Sequence, residues 1–268
     1  MATVGAVYSV DRFVRTAEQI LSALFTSTDI WDSAEVTRPE PRHKRYLTKF
    51  AEVLPDLGEE PVSGTQLVMA WASCQVNERH QPGQPLICLM DGQHSLWDEA
   101  AVAHTGVPEE QVIEILDLMH VAGYAWTAAK AFCANPGDQE TFVKNILRTI
   151  LQGHVDSAIR SLRCLATRRG LAGSQRTDVE RVCGYFSAHR HRMRYDEYLA
   201  RGYPIATGVI EGACRHLVKD RMERSGMKWT QIGARELLHL RCLRASGFWN
   251  QFHQQRSTPQ QPKHQLCG

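Results

Sequence analysis

The chain has 268 residues, 43% of them apolar, 22% charged and 8% aromatic, with a formal net charge of +2. That balance belongs to a core-burying globular protein and excludes a disordered chain, and with no run of eighteen apolar residues a membrane-spanning helix is excluded as well. The small net charge hides a division: residues 1–140 hold 9 Lys and Arg against 20 Asp and Glu, whereas residues 141–268 hold 22 against 9. An acidic half beside a basic half fits either a cation-binding region next to a nucleic-acid-binding one, or two halves that attract each other. Eight cysteines are scattered singly, without a C-x-x-C pair, and the opening residues lack the charged and apolar run of a secretory signal. Reduced thiols in a cytoplasmic protein are therefore expected, most of them as small core residues.

In chain order, Val4–Val10 is small, β-branched and aromatic and predicts a strand. Thr16-Ala17-Glu18-Gln19 has the form of a capping box, with Ile20, Leu21 and Leu24 following at helical spacing. Residues 27–43, with two prolines, read as a connector, 44–53 as a helix ending before Pro55, and Ser63 as the cap of a helix running from about 67 to 76. Pro85–Met90 is apolar on both faces, the pattern of a buried central strand, and it stops at Asp91-Gly92. A helix over 95–104 and a second β-rich run, Val112–Leu116, follow, and the latter also stops at an aspartate, Asp117. Strand, helix and strand make a βαβ unit, and ligands of open α/β sheets bind at the carboxyl ends of strands. From His120 to about Ala200 only helical signals occur, including Asp138 as the expected cap of a helix over 142–151. Helices over 208–222 and 230–246 come next, and the Gln- and Pro-rich end from about 252 reads as disordered.

Two strand-end carboxylates, Asp91 and Asp117, have the chemistry to share a divalent cation, which takes oxygen ligands from one or two carboxylates plus water and phosphate. Each equally suits the role of capping the helix or turn that follows. Glu211 lies in the first turn of its predicted helix, where the helix dipole alone accounts for a carboxylate. Arg215, Lys219, Arg221, Arg224 and Lys228 crowd the same helix and its exit, with Arg215 and Lys219 four and eight residues after Glu211. Such a stripe is either a track for phosphates or a solvated face with an ion pair. His189-Arg190-His191-Arg192-Met193-Arg194 is a second basic run, and its arginines disfavour a bound cation. Trp97, Trp126 and Trp229 read as core residues. Without a Walker loop, GxGxxG, GxSxG or HExxH, no nucleotide cofactor is expected.

Three segments carry a resemblance: Cys88-Leu89-Met90-Asp91-Gly92-Gln93, Ile115–Val121 with its Leu-Asp-x-x-His-Val pattern, and the long block Gly202–Met222. Together they resemble bacterial insertion-sequence transposases of the Kra type, which belong to the DDE group, and the likeness runs from the first strand to about residue 250. The resemblance implies an α/β, ribonuclease-H-like mixed sheet with a large all-helical insertion and a helical C-terminal part. It further implies a carboxylate triad holding Mg²⁺ (or Mn²⁺) for cleavage and strand transfer of DNA. Carried over by position, Asp91 and Glu211 match metal-ligating catalytic carboxylates and Asp117 a further catalytic residue of the motif, with His120, Gly92 and Gly212 in support. Arg215, Lys219, Arg221, Arg224, Lys228, Arg190, Arg192 and Arg194 would contact the DNA, on which the chain would act as a homo-oligomer at the nucleoid.

The resemblance divides the chain into a partial core over 1–120, a helical insertion over 121–200, closing helices over 201–250 and a tail over 251–268. No strand ending in Asp-Gly precedes Val4, although the family's first catalytic aspartate sits on such a strand. The chain is therefore expected to be the C-terminal portion of a transposase, with a sheet incomplete at its N-terminal edge. Two other readings stand beside it: a DNA-binding remnant without catalysis, and a helical protein-interaction module.

Overall fold

The computed structural model describes residues 2–25, 38–57, 59–103, 106–223 and 227–257. In chain order the elements are β1 (Thr3–Ser9), α1 (Ala17–Phe25), β2 (Arg42–Lys49), β3 (Glu52–Val53), β4 (Pro61–Val62) and α2 (Gly64–Arg79). They continue with β5 (Leu86–Met90), α3 (His94–Ala103), β6 (Val112–Leu116), α4 (Leu118–Phe132), α5 (Pro136–Leu151), α6 (Val155–Arg168), α7 (Gly173–His189) and α8 (Tyr195–Ala200). The last are α9 (Gly208–Ala213), a π-helical stretch (Cys214–Lys219), α10 (Asp220–Met222), α11 (Gln231–Ala245) and α12 (Trp249–Ser257). The chain is thus α/β and mainly helical. Among the described residues no helix is long and apolar enough to cross a membrane.

Two compact units result. One comprises Met1–Ser9, Pro41–Val76 and Val209–Gly268, and the other Val10–Glu40 and Asn77–Gly208. This division crosses the predicted one at 120/121 and 200/201. The reason is that α4 leaves β6 after a single residue and buries Val121, Ala125 and Ala128 in the same core as Ile115 and Leu116. The helical block therefore continues the core of the parallel strands.

In the larger unit β5 and β6 pair in parallel, from Leu86 opposite Val112 to Met90 opposite Leu116, and α3 makes the crossover. The predicted central strand is corrected, because only Cys88 of β5 is buried and, among the described residues, the pair has no third strand. The edge of β6 is closed by tyrosines instead. Tyr195 Oη donates to the Leu116 carbonyl at 2.7 Å and Tyr198 Oη to that of Glu114 at 3.1 Å. Carbonyls two residues apart lie on one side of a strand, so two hydroxyls from α8 stand in for a neighbouring ladder. Tyr195 is fully buried, and Tyr195→Phe is expected to lower stability by about 1–2 kcal/mol, the cost of an unsatisfied buried carbonyl, measured by urea unfolding.

The caps follow local chemistry. Thr16 and Gln19 form the expected reciprocal box at the start of α1 (Thr16 N to Gln19 Oε1 2.8 Å, Gln19 N to Thr16 Oγ1 3.2 Å). Ser63 and Gln66 do the same for α2. The cap of α5 is Asn135 and not Asp138: the Asn135 side chain accepts from the Asp138 N–H at 2.8 Å, and Pro136 supplies the preset first helical turn.

In the smaller unit β1 and β2 are antiparallel, Thr3 facing Lys49 and Val7 facing Arg45. The helix expected over 44–53 is therefore a strand. Lys and Arg suit helices, but Tyr46 lies against the apolar cluster of Ala213, Leu217 and Cys242, and Thr48 is buried with its hydroxyl 3.2 Å from Cys242 Sγ. Tyr46 and Thr48, two residues apart, share the face toward that cluster, and pairing with β1 overrides propensity. Likewise 252–257 continue α12, while 258–268 and the larger part of the predicted connector, 26–37, lie outside the described residues.

Cys88, Cys183 and Cys242 are buried, whereas Cys74 and Cys164 are exposed, so the core expectation holds for only some of the cysteines. Burial, with the Glu114 charge added, pushes the Cys88 thiol up to about 12, which makes it inert. Trp97 is buried as expected, but Trp229 is exposed.

Candidate active site at the strand ends

The parallel ladder runs one step past the strands: the Asp117 N–H donates to the Met90 carbonyl at 2.8 Å. This sets Asp91 and Asp117 at the same end of the β5–β6 pair. Their environments then diverge. Asp91 keeps 34% of its side chain exposed, and its Oδ1 accepts the Gln93 N–H at 2.8 Å, an Asx turn that holds the carboxylate at the entrance to α3.

Asp117 has no exposure at all. Its Oδ1 accepts from the N–H groups of Met119 (3.2 Å) and Thr207 (3.1 Å), and its Oδ2 accepts from the Thr207 hydroxyl (2.7 Å) and His120 Nδ1 (3.0 Å). Desolvation raises its pKa, but hydrogen bonds from His120, Thr207 and Met119 outweigh that and hold it below the ordinary carboxylate value. With four donors on two oxygens, an ionised carboxylate has no lone pair left to offer a cation. Asp117, expected as a catalytic residue of the motif, is in this structure the N-cap of α4 and a partner of His120.

His120 stands between the two aspartates. Its Nδ1 lies 3.0 Å from Asp117, its Nε2 lies 3.9 Å from Asp91 Oδ2, and 49% of its side chain is exposed. Gly92 is required by close packing. A Cβ there would fall 2.5 Å from the Tyr185 hydroxyl and 2.7 Å from its Cζ. Tyr185 in turn stacks on Tyr124 at 3.7 Å, with ring planes 9° apart. Burial raises the Tyr185 pKa, with Tyr124 and the charge of Asp91 adding to it. His189, stacked on His94 at 5.5 Å, is held below its usual value by burial and then by Arg192, so it packs as a neutral ring. Sequence reasoning missed Tyr185 and Thr207 and read His189 only as part of a basic run. The only signal for Thr207 was its place inside the long Gly202–Met222 block.

Glu211 and Gly212 belong to α9 in the smaller unit, where Glu211 is exposed and the space a Cβ would occupy at Gly212 is open. The π-helical stretch begins three residues after Glu211. It shifts the helix phase, so the regular alignment of Glu211, Arg215 and Lys219 expected of an α-helix is broken. The Arg241 guanidinium donates to the carbonyls of Leu217 (2.8 Å) and His216, groups that a change of helical pitch displaces from regular pairing.

Of the basic residues, Arg215, Lys219, Arg221 and Lys228 are exposed and Arg224 lies outside the described residues. Arg192, expected at the DNA, is engaged within the fold: its Nε donates to Glu114 at 2.7 Å and its guanidinium lies 4.1 Å over the Trp97 ring. Arg190 lies 3.9 Å from Asp156 and Arg194 3.4 Å from Glu197, both on the surface.

Mg²⁺ demands oxygen donors, and the partly exposed Asp91 meets that requirement whereas the saturated Asp117 does not. Among the described residues no three His, Cys, Asp or Glu side chains gather as a ligand set. Compared with protein-family models, curated proteins and solved structures, the chain matches none of them.

Proposed function

We propose that the chain is a DNA transposase, or part of one, with a ribonuclease-H-like catalytic fold, for whose Mg²⁺-dependent cleavage and strand transfer Asp91 and Glu211 are each a candidate metal ligand. The observation that carries this reading is the open carboxylate of Asp91 at the end of a parallel strand, with His120 of the Leu-Asp-x-x-His-Val motif beside it. Strand ends of α/β sheets are where ligands bind, and an acidic strand end can anchor a hydrated Mg²⁺ whose other ligands are water and phosphate. Mg²⁺ bound there would lower the pKa of an attacking water or 3′-hydroxyl, and a second ion, as in the family pattern, would stabilise the leaving oxygen. A π turn just past Glu211 adds support, since such turns concentrate at functional sites.

The basic half supplies the DNA contact in this reading, though unevenly. Arg148 pairs with Glu18, Arg163 and Arg176 with Glu180, and Arg181 with Asp178. Exposed Arg215, Lys219, Arg221 and Lys228 are the better candidates for phosphate contacts.

Two readings of the full chain test this. Mn²⁺ at a hundred times its Kd is expected to stabilise the wild type by about 2.7 kcal/mol in a thermal-shift assay and to leave Asp91→Asn unmoved. Duplex DNA affinity, followed by fluorescence anisotropy, is expected to fall about 1,000-fold between 50 and 200 mM salt if six phosphates are neutralised. A chain unmoved by Mn²⁺ and without salt-dependent DNA binding is instead a helical interaction module.

A further inference from the structure

We propose that Asp117 is a positioning residue whose buried carboxylate fixes the tautomer of His120 and, through Thr207, the backbone that leads into α9. The argument begins with capacity. An ionised carboxylate accepts hydrogen bonds and donates none. His120 Nδ1, 3.0 Å from Asp117 Oδ2, must therefore carry the hydrogen, and in the neutral ring Nε2 carries the lone pair. That nitrogen is the one turned toward Asp91, at 3.9 Å.

The same carboxylate reaches ninety positions along the chain. Thr207 gives it both the backbone N–H (3.1 Å) and the hydroxyl (2.7 Å). Neighbouring bonds run alongside: the Leu118 N–H donates to the Ile205 carbonyl at 2.9 Å and Arg15 to the Tyr203 carbonyl at 2.7 Å. Tyr203 and Ile205 are buried, so this stretch is strapped to the end of β6 and stops one residue short of α9. One carboxylate therefore orients a side chain at the strand ends and anchors the approach to the helix that carries Glu211.

The isosteric change Asp117→Asn separates shape from charge. If the amide oxygen keeps the N–H groups of Met119 and Thr207, the amide nitrogen faces the Thr207 hydroxyl and His120 Nδ1. The hydroxyl can turn to accept, but Nδ1 can accept only after losing its hydrogen, so the ring switches to the Nε2–H tautomer. An Asp→Asn change behind a histidine in the serine-protease triad acts in this way, leaving geometry intact and the tautomer wrong.

The test is ¹⁵N NMR of histidine-labelled full chain, with neither DNA nor metal, at a pH where the ring is neutral. The expected wild-type spectrum has hydrogen on His120 Nδ1, and in Asp117→Asn the two ring-nitrogen signals exchange positions. Hydrogen on Nε2 in the wild type overturns the proposal, and that arm holds whether or not the variant folds. An unchanged tautomer in folded Asp117→Asn overturns it too. For the Thr207 arm, Thr207→Val is expected to speed amide exchange at Thr207 about tenfold with His120 unchanged, and unaltered exchange contradicts that arm. The consequence for the site rests on the transposase reading, but the tautomer is read from the protein alone and fails separately from it.

Discussion

Asp117→Ala is expected to destabilise the larger unit by about 3–5 kcal/mol, the scale seen when one partner of a buried charged network is removed. The loss strands the N–H groups of Met119 and Thr207, the Thr207 hydroxyl and His120 Nδ1, all of which point at the vacated carboxylate. For a unit of this size the melting temperature falls by roughly 10 °C or more, and urea unfolding gives the free energy. The effect has a pH signature. Hydrogen bonding holds the folded-state pKa of Asp117 below the ordinary value, so its contribution is complete above about pH 5, where the unfolded carboxyl is already ionised. It is lost as the pH falls through the folded-state pKa. The gap between wild type and Asp117→Ala is therefore expected to narrow as the pH falls below about 5. A gap that widens below about pH 4 contradicts the assignment of an ionised buried carboxylate.

Gly92→Ala is expected to cost about 1–3 kcal/mol, the range for overpacking, and to displace Asp91 as well. The new Cβ would sit inside contact distance of the Tyr185 ring, which cannot swing aside because it is stacked on Tyr124. The turn that holds Asp91 must move instead. Shrinking the obstacle should restore the fit: in a Tyr185→Ala background, Gly92→Ala is expected to cost less than about 1 kcal/mol, which a double-mutant cycle of urea unfolding measures. Additive costs would show that the two residues do not meet. This is a steric requirement at the site itself, and it explains why glycine follows Asp91 without appeal to an unusual backbone, since Gly92 is not among the glycines with positive φ.

Much of this architecture was legible from local pattern. The apolar runs that end at Asp91 and Asp117 are the two parallel strands, and the long amphipathic and alanine-rich segments are helices where expected. Such features depend on residues a few positions apart. What escaped depends on distant partners. The strand at 42–49 looks helical until β1 lies beside it and Thr48 meets Cys242. β5 reads as a central strand because nothing in its own residues shows that tyrosines from α8 close the far edge of β6. The role of Asp117 turns on Thr207, ninety positions away, and on total burial, neither of which spacing reveals. Arg192 likewise reads as part of a basic run until Glu114 and Trp97 are seen around it. Charge counted along the chain overstates the basic surface left over for a partner, because it cannot tell an arginine paired with a carboxylate from one that is not.

The most direct test of the proposed DNA processing, with Asp91 and Glu211 as its carboxylates, is Mn²⁺-dependent cleavage of duplex DNA by the chain supplied with any segment that carries the family's first aspartate. Wild type, Asp91→Asn and Glu211→Gln would be compared under conditions where all three bind the DNA. The account predicts cleavage by the wild type and a loss of about 100-fold or more in each variant, the scale for removing a preorganised electrostatic group from a reaction centre. Variants that cleave as fast as the wild type, or a wild type that binds DNA with Mn²⁺ and leaves it intact, would contradict it.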